Sequence, residues 1–237
     1  MSKKAILALC IAVLLPVVSY LLVSKVSENA VNMPPRYFPD TVITKVIDGK
    51  NTSDTVWHSV ADIHLTNQLG ENVSLEDLNG QIIIADFFFT RCPSICPTLT
   101  KNMRGLQDAL KMKDFRHQFD SNFVHFLSFS VDPERDSETV LKKYADKYGV
   151  NSDLWWLLTG PKKSIYDFAF NELKLGLQDG EGIDSNFIHT QKFVLLDRNR
   201  VVRGYYNGLD TASLSKLAED LTILMLEKDK KKKRKLF

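Results

Sequence analysis

Gln81–Met103 reads QIIIADFFFTRCPSICPTLTKNM, and its reading decides the rest of the chain. QIIIADFFF is an almost unbroken apolar run, the pattern of a strand buried on both faces in the middle of a sheet. Behind it, TLTKNMRGLQDALKM carries Leu99, Met103, Leu106 and Leu110 at helical spacing. Between strand and helix lie Cys92 and Cys96, each followed by a proline. On one helix, thiols four residues apart would share a face. The prolines oppose that, because a residue before proline is pushed toward extended backbone. The economical reading is a tight turn from Cys92 to Cys96, with Pro97 opening the helix and Cys96 at its N-cap. There the helix dipole and the free N–H groups would favour a thiolate at Cys96. Thiolates serve as nucleophiles toward disulfides and as ligands for soft metals. A stapling disulfide is the plain alternative, although so short a loop would add only modest stability.

Working outward, ADIHLTNQLGENVSLEDL reads as a strand, a turn at Leu69–Asn72 and a second extended piece. NFVHFLSFSV is a second buried strand, and DSETVLKKYADKYG is a helix starting at Asp136 or Ser137 and stopping at Gly149. WWLLTG is a short strand and PKKSIYDFAFNEL a helix opened by Pro161. QKFVLLDRNRVVRGYYNG is a β-hairpin turning at Arg198–Asn199, and TASLSKLAEDLTILMLEK is the last helix. Strands alternating with helices, then a hairpin and a helix, make an α/β sandwich around a central mixed sheet. By analogy this order is that of a thioredoxin-like fold.

The ends differ from this body. Ala5–Val23 is an uncharged apolar run behind MSKK. As a helix it would span about 28 Å, enough for a bilayer core, with Pro16 tolerated as a kink. Lys3 and Lys4 favour a cytoplasmic N-terminus and a domain outside. A cleaved signal peptide is the alternative, but VSKVSENAV has no small-x-small site. Leu9 stands where a lipoprotein anchor at Cys10 would need a small residue, which leaves Cys10 as an apolar residue of the run. The expected organisation is a membrane anchor over 1–23, a tether with little structure over 24–55, one domain over 56–226 and a basic disordered tail over 227–237. A formal net charge of +2, with much of the basic excess in KDKKKKRKLF, argues against nucleic acid as a partner.

A third group could join the thiols. His58 lies close to the tether, His64 alternates with apolar neighbours, His117 sits in a charged helix end and His125 lies within a buried strand, so each reads as structural. His189, in SNFIHTQKFVLLD, immediately precedes a core strand. In thioredoxin-like folds the loop before that strand faces the cysteine loop. The preceding GLQDGEGIDSNF contains glycines that would let the histidine swing. Asp86, inside the apolar strand, would either hydrogen-bond structurally or exchange protons with the cysteines, the structural role being the simpler.

FFFTRCPSICPTLTKNM, FLSFSVDPERDSETVLKKYADKYG, WWLLTG and FIHTQKFVLLDRNRVVRGYYNG together closely resemble the Sco/SenC family, membrane-tethered proteins used in cytochrome c oxidase assembly. The resemblance runs from about Val56 to Leu226 and implies a thioredoxin-like fold. It further implies that Cys92, Cys96 and His189 bind copper: Cu(I) in a three-coordinate site, and Cu(II) with a further ligand. The implied partners are the copper-bearing subunit of cytochrome c oxidase and an upstream copper donor. The implied task is loading of the oxidase's binuclear copper site, or prior reduction of that site's cysteines. The family's acidic motif matches Asp132 and Asp136 in VDPERD. One of them would orient His189 from an outer shell; for Asp136, turn and helix-capping chemistry is the simpler role. The corresponding location is a bacterial inner membrane, preferred over a mitochondrial one, crossed once with the domain on the periplasmic side. A thiol–disulfide oxidoreductase needing only Cys92 and Cys96 is the alternative. A peroxidase is disfavoured, because the TxxC spacing it would need is absent. Zinc is a lesser cargo.

Overall fold

A computed structural model describes residues 12, 14–21, 23, 32–47, 50–114, 123–178 and 190–233. The chain divides into two compact units, Met1–Met33 and Pro34–Phe237. In the first, residues 12, 14–21 and 23 have helical backbone (α1), with Leu14, Leu15, Val17 and Val18 exposed. No helix of the described residues is long and apolar enough to cross a membrane.

The second unit is built on a seven-stranded mixed sheet of order β4-β3-β7-β6-β5-β8-β9. Its strands are β3 (His64–Asn67), β4 (Asn72–Ser74), β5 (Ile82–Phe88), β6 (Val124–Ser130), β7 (Trp155–Thr159), β8 (Lys192–Leu196) and β9 (Val202–Asn207). β5, β6 and β7 run parallel, while β3, β8 and β9 supply the antiparallel pairs. The apolar run of the opening stretch becomes β5, buried along its whole length. Its residues alternate between two cores, as the period of a strand requires. Ile83, Ala85 and Phe87 join Leu127, Phe129, Ile165 and Phe168 on one face. Ile82, Ile84 and Phe88 join both cysteines and three helices on the other. Those helices are α2 (Cys96–Asp114), α3 (Glu138–Tyr148) and α6 (Thr211–Lys233). The first face is covered by α4 (Lys162–Asp167), a π-helical turn at Phe168–Glu172 and α5 (Leu175–Gln178).

The local signals act as their chemistry predicts. Ser137 is the N-cap of α3, and Gly149 ends it in the left-handed region at φ 66°. Pro161 is the N-cap residue of α4. Three expectations shift. Residues 24–55, expected as a tether with little structure, contain β1 (Pro39–Ile47), which pairs with β2 (Lys50–Trp57) in a hairpin separate from the main sheet. Its root is pinned to the domain: Tyr37 N–H donates to Val202 O, and His58 N–H to Phe38 O. The buried Arg203 guanidinium donates to the carbonyls of Pro34 and Pro35. Secondly, α6 keeps helical backbone through Lys233, so the expected tail boundary at 227 falls inside a helix. Lysines are good helix formers and favourable near a helix C-terminus. Thirdly, α2 begins one residue earlier than expected, which matters at the site.

Candidate functional site

The cysteine loop occupies the C-terminal end of β5, where open α/β sheets place their sites. Cys92 closes a turn by donating its N–H to Phe89 O at 3.2 Å. Ile95 O accepts from both Thr98 N and Leu99 N, each at 3.0 Å. Ile95 is therefore the N-cap, Cys96 the first helical residue and Pro97 the second. Pro97 fits there because the first-turn N–H groups have no intrahelical acceptor. The extended bias at Cys96 yields to the helix because proline so placed removes no hydrogen bond. Thr100 Oγ1 donates to Cys96 O at 2.9 Å and pairs with the Tyr144 hydroxyl at 2.8 Å, joining the first turn of α2 to α3.

Both cysteines are free thiols, 7% and 4% exposed, and they are electrostatically unequal. Burial pushes the Cys96 thiol up to about 12, helped by its hydrogen bond to Cys92 and the charges of Cys92 and Asp86. For Cys92 burial also raises the pKa, but hydrogen bonds from Cys96 and Ser94, side chain and backbone, outweigh it and bring the thiol below its ordinary value. Ser94 Oγ lies 3.8 Å from Cys92 Sγ. The expected thiolate at the helix start thus belongs to the other cysteine. The backbone N–H groups of Ser94 and Cys96 serve the Cys92 sulfur, while at Cys96 burial is the largest influence.

Asp86 is 2% exposed on the same face of β5. Burial lifts its carboxyl to about 7, against the opposing effect of a hydrogen bond from Ser128. Ser128 Oγ–H donates to Asp86, and Trp155 Nε1–H donates to Ser128 Oγ at 2.9 Å. Asp136, expected in a turn or capping role, closes a turn by donating its N–H to Asp132 O, and its side chain also reaches the approach to the cysteine loop. Its Oδ2 accepts from Thr90 N at 3.1 Å and Ser130 Oγ at 2.6 Å, and its Oδ1 accepts from Thr90 Oγ1 at 2.5 Å. Asp132, 7% exposed, pairs with Arg135 at 3.3 Å and accepts the backbone N–H of Asp136 on its carbonyl. Thr90, Ser94, Ser128 and Ser130 had no expected part at the thiols. The signal for two of them was present: serines alternating in FLSFSV put polar groups at buried strand positions, where each needs a partner.

His189 lies outside the described residues, as does His117. Its neighbour Thr190 is buried and accepts the Lys192 N–H on Oγ1 at 3.1 Å. Since Ile83 faces Leu196 and Ala85 faces Val194, β8 starts at the end of the sheet where β5 delivers the cysteine loop. Gly208 ties that entry to α2, donating its N–H to Gln191 O at 2.7 Å and accepting from Asn102 Nδ2 at 2.7 Å. The other histidines hold structure. His58 bridges Asp40 and Glu172 at 3.4 and 3.1 Å, and exposed His64 pairs with Asp62 at 3.2 Å. His125 stacks edge-on against Trp156 with centroids 4.3 Å apart, and burial lowers its pKa to about 3. Among the described residues no group of three His, Cys, Asp or Glu side chains is arranged to hold a metal ion.

The chain is similar in sequence and fold to known proteins. The family model described as SCO1/SenC matches residues 53–225. The SCO1 protein homolog of Bacillus subtilis is 37% identical over 174 residues, covering 73% of this chain and 86% of that one. A solved structure of BsSco, described as a member of the Sco family of cytochrome c oxidase assembly proteins with a disulfide switch, has a TM-score of 0.59 at 34% identity. That match covers 73% of this chain and 96% of the other. The copper-bound ScoI of Bradyrhizobium japonicum, 24% identical, shares the fold with a TM-score of 0.53 over 69% of this chain and 98% of its own. With a family match over most of its length and this thiol-bearing α/β sandwich, the chain belongs to the SCO1/SenC family.

Proposed function

We propose that this chain is a copper carrier for assembly of the binuclear copper site of cytochrome c oxidase. The observation that carries the reading is the pair of free thiols at the end of β5, at the same end of the sheet as Thr190, the residue next to His189. Copper is cargo here. Cys92 and Cys96 supply soft sulfur donors suited to Cu(I), and His189 supplies an imidazole as third ligand, with Cu(II) needing one ligand more. Cys92 is the readier thiolate, and Cys96 gives up its proton when metal arrives. The partners are the oxidase's copper-bearing subunit and an upstream donor. Residues 5–23 anchor the chain in a bacterial inner membrane, crossed once, with the domain on the periplasmic side; Lys3 and Lys4 ahead of the apolar run support that orientation.

The test is an oxygen-free Cu(I) titration against a competing chelator. One equivalent should bind, sharply more weakly in His189→Ala, and not at all when either Cys92 or Cys96 is serine. His189→Ala binding as tightly as the parent would remove the three-ligand site.

The inequality of the thiols supports a second reading, thiol–disulfide exchange. The Cys92 thiolate attacks a client disulfide, forming a mixed disulfide and releasing one client thiolate. Cys96 then loses its proton and attacks the Cys92 sulfur, releasing the second client thiolate. The client gains two electrons, and Cys92–Cys96 becomes the disulfide. Client reduction that survives in His189→Ala while copper binding fails would favour this reading.

A further inference from the structure

We propose that Asp136 is a positioning residue for the cysteine pair, acting through Thr90. The inference rests on the thiol-centred reading above and adds a residue to it. Asp136 is 1% exposed and sits just ahead of α3, yet it takes no part in capping that helix, whose N-cap is Ser137. Its carboxylate spans two elements instead. Ser130, the last residue of β6, donates to Oδ2 at 2.6 Å. Thr90, the second residue beyond β5 and the second before Cys92, donates its N–H to Oδ2 at 3.1 Å and its hydroxyl to Oδ1 at 2.5 Å. The Asp132 N–H donates to Ser130 Oγ at 3.2 Å, and Val131 N–H to Phe88 O at 2.9 Å, so the platform is itself held. On the far side Cys96 is fixed by the first turn of α2 through Thr100 and Tyr144. The Cys92 side has no helix to hold it. Beside the turn that ties Cys92 N–H to Phe89 O, Asp136 adds a side-chain constraint at Thr90, two residues past the end of β5.

The chemistry requires that constraint. Two thiols that must share one metal ion, or close one disulfide, gain effective concentration from every restraint on their separation. Groups behind metal ligands are worth about ten- to a hundredfold in affinity. Loosening the Cys92 side should weaken Cu(I) binding and make the disulfide easier to reduce, both through the same loss of preorganisation.

The hydrogen-bond pattern selects the variants. Asp136→Asn keeps the clamp: the amide oxygen accepts from Thr90 N and Ser130, and the amide nitrogen donates to Thr90 Oγ1, which reverses its role. Asp136→Ala removes the clamp entirely. Thr90→Val keeps the loop's bulk and removes one hydrogen bond. Asp77→Ala is a stability control: Asp77 accepts the Ser74 N–H at 2.7 Å in a capping box on the opposite core. Each full-length variant would be read twice: by Cu(I) competition without oxygen, and, metal-free, by the Cys92–Cys96 equilibrium with reduced and oxidised dithiothreitol. We expect Asp136→Ala to weaken Cu(I) binding about tenfold, and to shift the disulfide equilibrium about tenfold toward the thiols, or about 30 mV for a two-electron couple. Thr90→Val should move both in the same sense by a smaller factor, Asp136→Asn should stay near the parent, and Asp77→Ala should lose stability alone. If Thr90→Val and Asp136→Ala leave both readouts within twofold of the parent, Asp136 is only a fold brace. If Asp136→Ala fails to fold, Thr90→Val against Asp136→Asn decides. A parent chain that binds no Cu(I) sinks the copper reading and leaves the disulfide measurement as the test of positioning.

Discussion

Replacing Asp86 by asparagine should make the protein more stable at pH 8 and leave it unchanged near pH 4. The Asp86 carboxyl is 2% exposed, and burial lifts its pKa from an ordinary 3.8 to about 7. Below pH 3.8 the folded and unfolded chains both hold this proton, and the group subtracts nothing from stability. Between 3.8 and 7 only the folded chain holds it, so stability falls as pH rises. Above 7 both forms are ionised and the loss is complete. A tenfold change in proton affinity is worth about 1.4 kcal/mol, so the rise to about 7 removes roughly 4 kcal/mol by pH 8. Asparagine carries no charge and still offers Ser128 a carbonyl oxygen, as the protonated carboxyl does. The expected gain at pH 8 is therefore roughly 4 kcal/mol. With a urea m-value of about 2 kcal/mol/M it appears as a midpoint shift of about 2 M. The assay is urea unfolding of the reduced, metal-free parent and variant at half-unit steps from pH 4 to 8. A parent–variant gap that stays constant across that range would mean Asp86 is already ionised when folded, and the reasoning from burial fails.

Cys92 should be alkylated by iodoacetamide well before Cys96 at pH 7, read by peptide mass mapping; equal rates would contradict the assignment of the acidic thiol. Apparent Cu(I) affinity should rise at least about tenfold per pH unit from pH 7 to 9, because Cys96, held near 12, must lose a proton on binding. Gly208→Ala should destabilise by about 1–3 kcal/mol in urea, since the new methyl would meet Leu99 Cδ2 at 2.5 Å and the Phe193 ring at 2.9 Å. Arg203→Met should cost about 3–5 kcal/mol, leaving the buried Asp197 carboxylate, 2.9 Å from the guanidinium, without its partner. It should also free the Pro34–Phe38 segment, read by hydrogen exchange.

Much of the fold was legible because each element carries its own signal. The apolar run of β5, the stripe of α2 and the Ser137 and Gly149 boundaries of α3 are local patterns, and local physics is enough to read them. The hairpin at β1–β2 escapes the sequence because KNTSDTVW is polar and the segment leading into it is held by Arg203, 169 residues beyond Pro34. The site was half legible. Two cysteines between a buried strand and a helix announce thiol chemistry, but the partners of Asp136 come from elements 46 and 6 residues away.

The sequence by itself determined that a strand, a thiol loop and a helix follow one another, because periodicity and proline stereochemistry act over a few residues. It also determined the family, through motifs spread over the domain. Which thiol is acidic was decided only by the tertiary structure. Local reasoning put the helix-start thiolate on Cys96, the residue nearest the helix dipole. In the folded chain the N–H groups of Ser94 and Cys96 serve Cys92, and at Cys96 burial dominates. A pKa is set by what surrounds the sulfur in space, and the burial of the two thiols appears only once the sheet and helices have packed.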